Sequence, residues 1–183
     1  MQKIPVGILG ATGMVGQNYI ALLNNHPWFE VAYVAASARS AGQPYEKAVA
    51  GRWHLRSGFG HQVGACIVRD ACDVAAAAAE AKAGRLSFVF SALEMGKDEI
   101  LSLEDRYAAA GIPVISNASA NRWTEDVPML IAEINPHHTD IIPLQKKRRG
   151  WERGFIAVKP NCSIQSYMTP IWALIQCGYE IKR

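Results

Sequence analysis

The sequence predicts an α/β domain built on a doubly wound, mostly parallel sheet, and two observations support this fold class. Short apolar segments of β type alternate along the chain with longer segments that have a helical pattern. Several of the β-type segments are apolar almost throughout, as strands are when helices cover both faces of a parallel sheet. We therefore expect a chain that alternates between strand and helix from its first residues onward.

The first elements lie within the N-terminal 37 residues. Segment 4–10 is a β-rich apolar run that ends in glycine, which indicates a strand. Segment 14–26 has apolar residues at helical spacing and predicts a helix. The apolar face of this helix is expected to comprise Val15, Tyr19, Leu22 and Leu23. Segment 30–37, again apolar and β-type, predicts the second strand.

The middle of the chain repeats the alternation twice. Alanine dominates segment 70–84, and we predict a helix there that a glycine closes. Segment 86–93 is the next predicted strand. Segment 97–111 follows as a helix that also ends in glycine, and segment 112–119 is predicted as the fourth strand.

After residue 120 the pattern is less regular. Segment 126–135 is predicted to be extended, and the Asn-Pro pair that ends it predicts a helix start. The four adjacent cations Lys146–Arg149 are interpreted as a solvated turn, because no aromatic pattern typical of a nucleic-acid site surrounds them. A strand at 155–161 and a helix at 162–178 follow, and Pro170 is expected to bend that helix.

The composition argues against several classes of protein. A net charge of +3 is too mild for a nucleic-acid or membrane-surface protein, and no apolar run reaches the length of a membrane span. The four cysteines have neither C-x-x-C spacing nor the density of a disulfide scaffold, so we expect reduced thiols and a cytoplasmic location. Three of them, Cys66, Cys72 and Cys177, are interpreted as small buried side chains. The histidine spacing matches no metal motif, and no metal is expected.

Three glycines mark the turn between the first strand and the first helix. Gly10, Gly13 and Gly16 have G-x-x-G-x-x-G spacing. In a strand–turn–helix context, glycines let the backbone approach a pyrophosphate, and free N–H groups at the helix start bind its charge. We therefore predict a Rossmann-like dinucleotide loop. The alternative is a tight turn in which the glycines serve packing only.

The residues after the second strand indicate NADP rather than NAD. NAD-binding domains usually carry Asp or Glu at this point for the ribose, but no acid lies between Val31 and Gln43. Instead, Ser37, Arg39 and Ser40 provide hydroxyls and a guanidinium that suit a 2′-phosphate. The alternative is a solvated polar loop without a ligand.

The end of the third strand is expected to border the same cofactor. Ligands of doubly wound sheets lie outside the carboxyl ends of the strands. Ser91, Ala92 and Leu93 are at this position, and small residues there leave room for a nucleotide.

Cys162 is the candidate nucleophile. It follows a predicted strand and opens a predicted helix, where unpaired N–H groups and the helix dipole stabilise a thiolate. The same N–H groups can hold an oxyanion, and Asn161 could add a side-chain donor. A thiolate there can attack an aldehyde, which then loses hydride to NADP⁺ and leaves a thioester. The alternative is a small buried thiol without a chemical role.

Four elements that occur in this order resemble the aspartate-β-semialdehyde dehydrogenases of the archaeal and fungal-like branch. They are GATGMVGQ, AASARSAG, SNASANR with EDVPMLIAEIN, and KPNCSIQS. The resemblance covers essentially the whole chain. It implies an NADP-dependent enzyme that interconverts L-aspartate 4-semialdehyde and 4-phospho-L-aspartate through a cysteine thioester, on the route to lysine, methionine and threonine.

The resemblance also assigns roles to residues. Cys162 would carry the thioester, and Arg122 would bind the substrate phosphate, for which a guanidinium is well suited. An ion pair of Arg122 with Glu125 or Asp126 is the alternative. Together with the positions argued above, the expected cofactor-binding set is Gly10, Thr12, Gly13, Met14, Val15, Ser37, Arg39, Ser40, Ser91, Ala92, Leu93 and Asn117.

Members of this family continue into a second domain, which supplies a histidine general acid/base and most of the dimer interface. None of the five histidines here lies in that element. We therefore expect 1–158 to be the NADP-binding domain and 159–183 to begin a second α+β domain, in a longer enzyme that forms a homodimer or homotetramer. Two alternatives remain open: a malonyl-CoA reductase-like enzyme of the same fold, and a non-catalytic NADP-binding module.

The chain of 183 residues is expected to bind NADP weakly and to complete no turnover, because half of the active site would be absent from it. The measurement is the reduction of NADP⁺ in the presence of L-aspartate 4-semialdehyde and phosphate. Robust, phosphate-dependent reduction by a chain of verified length would contradict this expectation.

Overall fold

The computed structural model describes residues 2–182, and its central feature is a six-stranded sheet. The strands are β1 (Ile4–Leu9), β2 (Phe29–Ala36), β3 (Arg69–Asp70), β4 (Phe88–Ser91), β5 (Val114–Ser116) and β6 (Ile156–Val158). Their order across the sheet is β3-β2-β1-β4-β5-β6, and every neighbouring pair is parallel. The predicted doubly wound, Rossmann-like sheet is confirmed, with the reversal of strand order between β1 and β4.

The helices cover both faces of this sheet. They are α1 (Met14–Leu23), α2 (Tyr45–Ala48), α3 (His61–Ala65), α4 (Val74–Lys82), α5 (Lys97–Ala109), α6 (Ile142–Arg149) and α7 (Cys162–Gln176), with a 3-10 helix at Pro136–Ile141. One core lies between the sheet and α1 with α2, and the other lies between the sheet and α4 with α5. Burial on both faces explains why the strands are apolar without alternation.

The predicted apolar face of α1 is confirmed for two of its four residues, since Leu23 is buried and Tyr19 packs against the core. Val15 is 42% exposed and Leu22 is 74% exposed. The buried residues of this helix are Gly16, Gln17, Ile20 and Leu23. The helix passes so close to the preceding loop that a Cβ on Gly16 would lie 2.2 Å from the carbonyl oxygen of Gly10. Contact with the loop therefore decides which side of the helix is buried.

The helix predicted at 70–84 is shorter than expected. Residues Arg69–Asp70 form β3, and the helix begins at Val74 with Asp73 as its cap, since the Asp73 side chain accepts the N–H of Ala76 at 3.0 Å. Asp and Asn side chains favour such caps over helix interiors, which explains the later start.

Two predictions after residue 120 hold only in part. Segment 126–135, which was predicted to be extended, makes a single parallel bridge, from Met129 to Val158, and then turns at 132–134. The cations Lys146–Arg149 form the last turn of α6, and Gly150 closes the helix with a φ of 68°. Cations interact favourably with the carboxyl end of a helix dipole, so a basic run can end a helix rather than form a free turn.

Helix α7 contrasts with the other long helices because none of its 15 residues is buried. Four of its apolar side chains are more than 40% exposed: Ile164, Tyr167, Leu174 and Ile175. Pro170 lies inside the helix, as predicted. Residues 179–182 have no regular secondary structure.

A buried carboxylate joins three elements at the carboxyl edge of the sheet. Glu104 of α5 is completely buried. One of its oxygens accepts hydrogen bonds from the hydroxyls of Ser91 and Ser116, both at 2.6 Å, and the other accepts from the Asn121 amide at 2.9 Å. Ser91 ends β4, Ser116 ends β5, and Asn121 belongs to the loop after β5. The network therefore holds two strand ends and a loop in fixed positions.

Burial raises the pKa of Glu104 above its ordinary value of 4.5, although the hydrogen bonds from Ser116, Ser91 and Asn121 act in the opposite direction. The fold therefore favours the protonated carboxyl more than the unfolded chain does. The shift of this pKa therefore stabilises the fold fully at pH values below 4.5, the ordinary pKa. This stabilisation is lost as the pH rises through the higher pKa of the folded state.

Replacement of Glu104 by Ala leaves three buried donors without their acceptor. We expect the free energy of unfolding to fall by about 3 kcal/mol or more, since each unsatisfied buried donor costs about 1–3 kcal/mol. Denaturant unfolding measures the effect. Ser102→Ala, at an exposed position of the same helix, is the control and should change stability by less than about 0.5 kcal/mol. Equal stability of the two variants would contradict this role for the carboxylate.

Candidate active site

A cleft of about 420 Å³ lies at the carboxyl ends of β1, β2, β3 and β4. Most of the predicted cofactor residues line it: Gly10, Thr12, Gly13, Ser37, Arg39, Ala92 and Leu93. The parallel sheet explains why segments so far apart in sequence meet, because the carboxyl ends of parallel strands share one edge. The cleft is therefore built by the loops that follow successive strands.

Two of the loop glycines permit close packing, and the third leaves space. A Cβ on Gly10, whose φ is +77°, would lie 2.3 Å from the carbonyl oxygen of Ala92, and Gly16 is equally constrained. Gly13 has an ordinary φ of −77°, and a Cβ there would meet only the Gly10 oxygen, at 3.4 Å. Packing does not explain glycine at position 13. Its missing side chain keeps the start of α1 open to the cleft.

The start of α1 also has donors for a ligand. Gly13 is the N-cap, and within residues 2–182 no side chain caps this helix. The N–H groups of its first turn therefore have no intrahelical partner, and together with the helix dipole they attract an anion. The open position at Gly13 and these donors fit the pyrophosphate of a dinucleotide.

Several predicted residues do not line this cleft. Ser40 and Ser91 are 3% and 0% exposed. Ser91 was expected to border the cofactor, but its hydroxyl donates to Glu104, so its side chain serves the buried network instead. Met14 and Val15 are exposed at the first turn of α1 without lining the cleft, so only their N–H groups remain candidates for it.

Cys162 is exposed and is the first residue of α7, as the sequence predicts. The side-chain oxygen of Asn161 caps the helix by accepting the N–H of Ser163 at 2.9 Å. One of the N–H groups expected to hold an oxyanion is therefore already engaged. Within residues 2–182, the N–H groups of Cys162 and Ile164 have no hydrogen-bond partner, and the Asn161 amide nitrogen is likewise left as a donor.

Arg122 lies beside the segment that leads to Cys162. Its guanidinium donates to the carbonyl of Lys159 at 3.2 Å and to the carbonyl of Asn117 at 3.3 Å. The alternative ion pairs are not formed, because Glu125 pairs with Arg148 at 3.4 Å, while Asp126 pairs with Arg149 at 2.6 Å. The guanidinium is thus held by carbonyl oxygens and keeps its charge available. It also lines a second cavity, of about 450 Å³.

Lys159 is a charged neighbour that the sequence reasoning missed. Burial lowers the pKa of its ammonium, the charge of Arg122 lowers it further, and Cys162 acts in the opposite direction. The ammonium donates to the carbonyl of Pro160 at 3.0 Å. Arg122 and Lys159 therefore place two cations close to each other, and Lys159 belongs to the segment that leads to the thiol. The available signal was the position of this lysine three residues before Cys162.

The thiol and the glycine loop lie on the same edge of the sheet but not at adjacent strands. Cys162 follows β6, whereas the glycine loop follows β1, and β4 and β5 lie between them. Three strand spacings correspond to about 14 Å. Asn117, which follows β5, lies in this interval and donates its N–H to the carbonyl of Ser91 at 2.9 Å. A ligand that spans the edge from the cleft toward Cys162 would pass Ala92, Leu93 and Asn117.

Other cleft residues were also missed. They come from the segments after β3 and β4 and from the loop that carries α2, and they include Arg52, Asp70, Cys72, Glu94 and Met95. Segment 41–68 has short helices without a clear periodic pattern, so the sequence offered no signal for it.

Cys72 and Cys177 are exposed, so the interpretation of these thiols as buried side chains is wrong. Cys66 is partly buried, and burial raises the pKa of its thiol.

Within residues 2–182, no three side chains of His, Cys, Asp or Glu come together in a group that could hold a metal ion. No helix in this range is long and apolar enough to cross a membrane.

Comparisons with known proteins agree with this geometry. Residues 5–142 match the family model described as "Semialdehyde dehydrogenase, NAD binding domain". An aspartate-semialdehyde dehydrogenase of Archaeoglobus fulgidus is 39% identical over 185 residues, which cover 99% of this chain and 49% of that protein. A malonyl CoA reductase (NADP) of Metallosphaera sedula is 33% identical over 182 residues, which cover 96% of this chain and 45% of that protein.

A solved structure is similar as well. The crystal structure of aspartate semialdehyde dehydrogenase with NADP from Candida albicans superimposes with a TM-score of 0.78 at 31% identity, over 96% of this chain and 48% of that one. The chain thus spans about half the length of the curated relatives that it matches.

Proposed function

The chain belongs to the semialdehyde dehydrogenase family, and on that premise we propose that it is the NADP-binding part of an aspartate-semialdehyde dehydrogenase. Such an enzyme interconverts L-aspartate 4-semialdehyde and 4-phospho-L-aspartate through a cysteine thioester. The observation that carries the proposal is the shared edge of the sheet, where an exposed thiol at a helix start follows β6 and an open glycine loop follows β1.

NADP is the cofactor that these residues suit. The first turn of α1 would bind the pyrophosphate at Gly13, where the cleft has room for it. Ser37 and Arg39 would face the 2′-phosphate, since both line the cleft after β2. The Candida albicans relative was solved with NADP, which supports the same cofactor here. When bound, NADP supplies the hydride acceptor or donor.

The chemical roles fall to residues around the start of α7. Cys162 would attack the substrate carbonyl and carry the acyl group as a thioester. The N–H groups of Cys162 and Ile164, with the amide of Asn161, would hold the oxyanion that this attack creates. Arg122 would bind the phosphate or acyl phosphate, because carbonyl contacts orient its guanidinium and no carboxylate among residues 2–182 forms a salt bridge with it.

The domain boundary is part of the proposal. We place the end of the NADP-binding domain near residue 158, and we assign 159–183 to the start of a second, catalytic and dimerisation domain. The support is α7, whose apolar side chains contact neither core of the sheet. Contacts from such a domain, or from a second subunit in a homodimer or homotetramer, would cover this helix. We also propose a cytoplasmic location, in keeping with four free thiols.

The malonyl-CoA reductase of Metallosphaera sedula keeps one alternative open, since it matches nearly the whole chain. Both reactions would use the same fold, cofactor and thiol, but they differ in the acyl donor. The guanidinium of Arg122 favours the acyl phosphate. The discriminating assay compares 4-phospho-L-aspartate with malonyl-CoA in a protein of the relatives' full length that contains this chain, and preferred use of malonyl-CoA would favour the alternative.

The two kinds of glycine should respond differently to substitution by alanine. Gly13→Ala should weaken NADP⁺ binding about tenfold or more, because the new methyl group enters the space for the phosphate, while stability changes by less than about 1 kcal/mol. Gly16→Ala should destabilise the fold itself, since its Cβ would lie 2.2 Å from a backbone oxygen. Titration calorimetry and thermal unfolding separate the two effects. Unchanged NADP⁺ binding by Gly13→Ala would argue against a phosphate site at this loop.

Alkylation of Cys162 tests whether the chain carries a nucleophile. With iodoacetamide, Cys162 should react faster than the other three cysteines, because it alone of the four is the first residue of a helix, where N–H groups lack partners. Mass spectrometry of the four peptides measures all rates in one experiment. Cys72 and Cys177 are the matched controls, as both are also exposed. A rate profile for Cys162 equal to that of Cys177 would favour the non-catalytic NADP-binding module.

A further inference from the structure

The buried amide of Gln17 connects the glycine loop to a distant segment. Gln17 is 2% exposed. Its amide nitrogen donates to the carbonyl of Thr12 at 3.2 Å and to the carbonyl of Arg52 at 2.8 Å, and its side-chain oxygen accepts the N–H of His54 at 3.1 Å. One side chain therefore fixes Arg52 and His54, which lie 35 and 37 residues further along the chain, against the loop that precedes α1.

A second contact fixes the same segment from its other end. The hydroxyl of Tyr45, a completely buried residue of α2, donates to the carbonyl of Ala11 at 2.9 Å. The chain from Tyr45 to His54 is thus attached to the glycine loop at two points. Its position relative to the cleft is determined by buried hydrogen bonds rather than by surface contacts.

Arg52 is presented to the cleft by this arrangement. Arg52 lines the cleft together with Arg39, and its guanidinium donates to the carbonyl of Ala48 at the end of α2. Among residues 2–182, neither guanidinium forms a salt bridge. Two unpaired cations in one cleft repel each other, and an anion between them would relieve that repulsion.

On the basis of the proposed NADP-binding function, we propose that Arg52 is a second guanidinium for the 2′-phosphate of the cofactor, and that Gln17 is the residue that positions it. The sequence reasoning assigned this phosphate to the loop after β2 alone. The pyrophosphate needs no such cation, because the first turn of α1 already provides N–H groups and a dipole. The additional phosphate of NADP has two negative charges, which suit two guanidinium groups.

The acidic residues of the cleft are compatible with this assignment. Asp70 and Glu94 also line it. One oxygen of Asp70 accepts the N–H of Cys72 at 2.9 Å, so this carboxylate is turned toward its own loop after β3. Glu94 follows β4, on the far side of β1 from the loop that carries Arg39. Arg39 and Arg52 are the two cations among the residues that line this cleft.

The test compares NADP⁺ with NAD⁺, which lacks the 2′-phosphate, by titration calorimetry on the chain of 183 residues. Arg52→Met should weaken NADP⁺ binding about tenfold and leave NAD⁺ binding unchanged, since the lost bonds are charge-assisted and specific to that phosphate. Arg56→Met removes an exposed arginine of the same segment that does not line the cleft, and it should change neither affinity.

Gln17→Met keeps the size of the side chain and removes its hydrogen bonds. It should lower the ratio of NADP⁺ to NAD⁺ affinity in the wild-type background, but not in the Arg52→Met background, because the residue that it positions is then absent. A merely structural role would weaken both cofactors equally. Thermal unfolding of each variant shows that the compared proteins are folded.

The possible outcomes separate the two proposals. Selective loss of NADP⁺ affinity in Arg52→Met supports the inference. Equal loss of NADP⁺ and NAD⁺ affinity, or no loss of either, overturns it while the proposed function stands. A folded wild-type chain that binds neither dinucleotide overturns the proposed function and the inference together.

Discussion

The carboxylate of Glu104 is the interaction on which the arrangement of the candidate site depends. A buried ionisable group costs several kcal/mol in solvation, and it is tolerated here because three donors converge on it. Those donors belong to the ends of β4 and β5 and to the following loop. From that loop the contacts continue, since Arg122 follows Asn121 directly and bonds the carbonyl of Lys159, three residues before the thiol. Glu104 lines no part of the cleft, yet it fixes the ends of β4 and β5 relative to Arg122 and to the segment before Cys162.

The three glycines of the loop between β1 and α1 serve two purposes, close packing of the helix and an open ligand site. Gly10 and Gly16 allow α1 to approach the sheet more closely than any side chain would permit. Gly13 contributes nothing to that packing and instead leaves the helix start open. Fold and ligand site therefore impose separate requirements within a single heptapeptide, and the regular spacing of the motif conceals the difference.

Much of the fold could be predicted because its signals are local. β1, β2, β4 and β5 are apolar runs, and both the glycine loop and Cys162 lie at strand-to-helix turns that a short window reveals. β3 has only two residues, too few for any periodicity, so Asp70 was assigned to the helix that follows and Arg69 to no element. The network around Glu104 was missed because Ser91 and Asn121 are 13 and 17 residues away from it, and only the folded sheet brings them together. The same reason applies to Gln17 and Arg52, which tertiary contacts alone connect.

The exposure of α7 has a consequence for how this chain tolerates change. Because α7 places no side chain in either core, the melting temperature reports on the sheet and on α1, α4 and α5, and hardly on the nucleophile. The direction of the thiol depends on the short link from Lys159 to Asn161 and on whatever packs against the helix. The stability of the fold and the orientation of the Cys162 thiol are thus separate properties here. A variant with an unchanged melting temperature can still have a misoriented thiol.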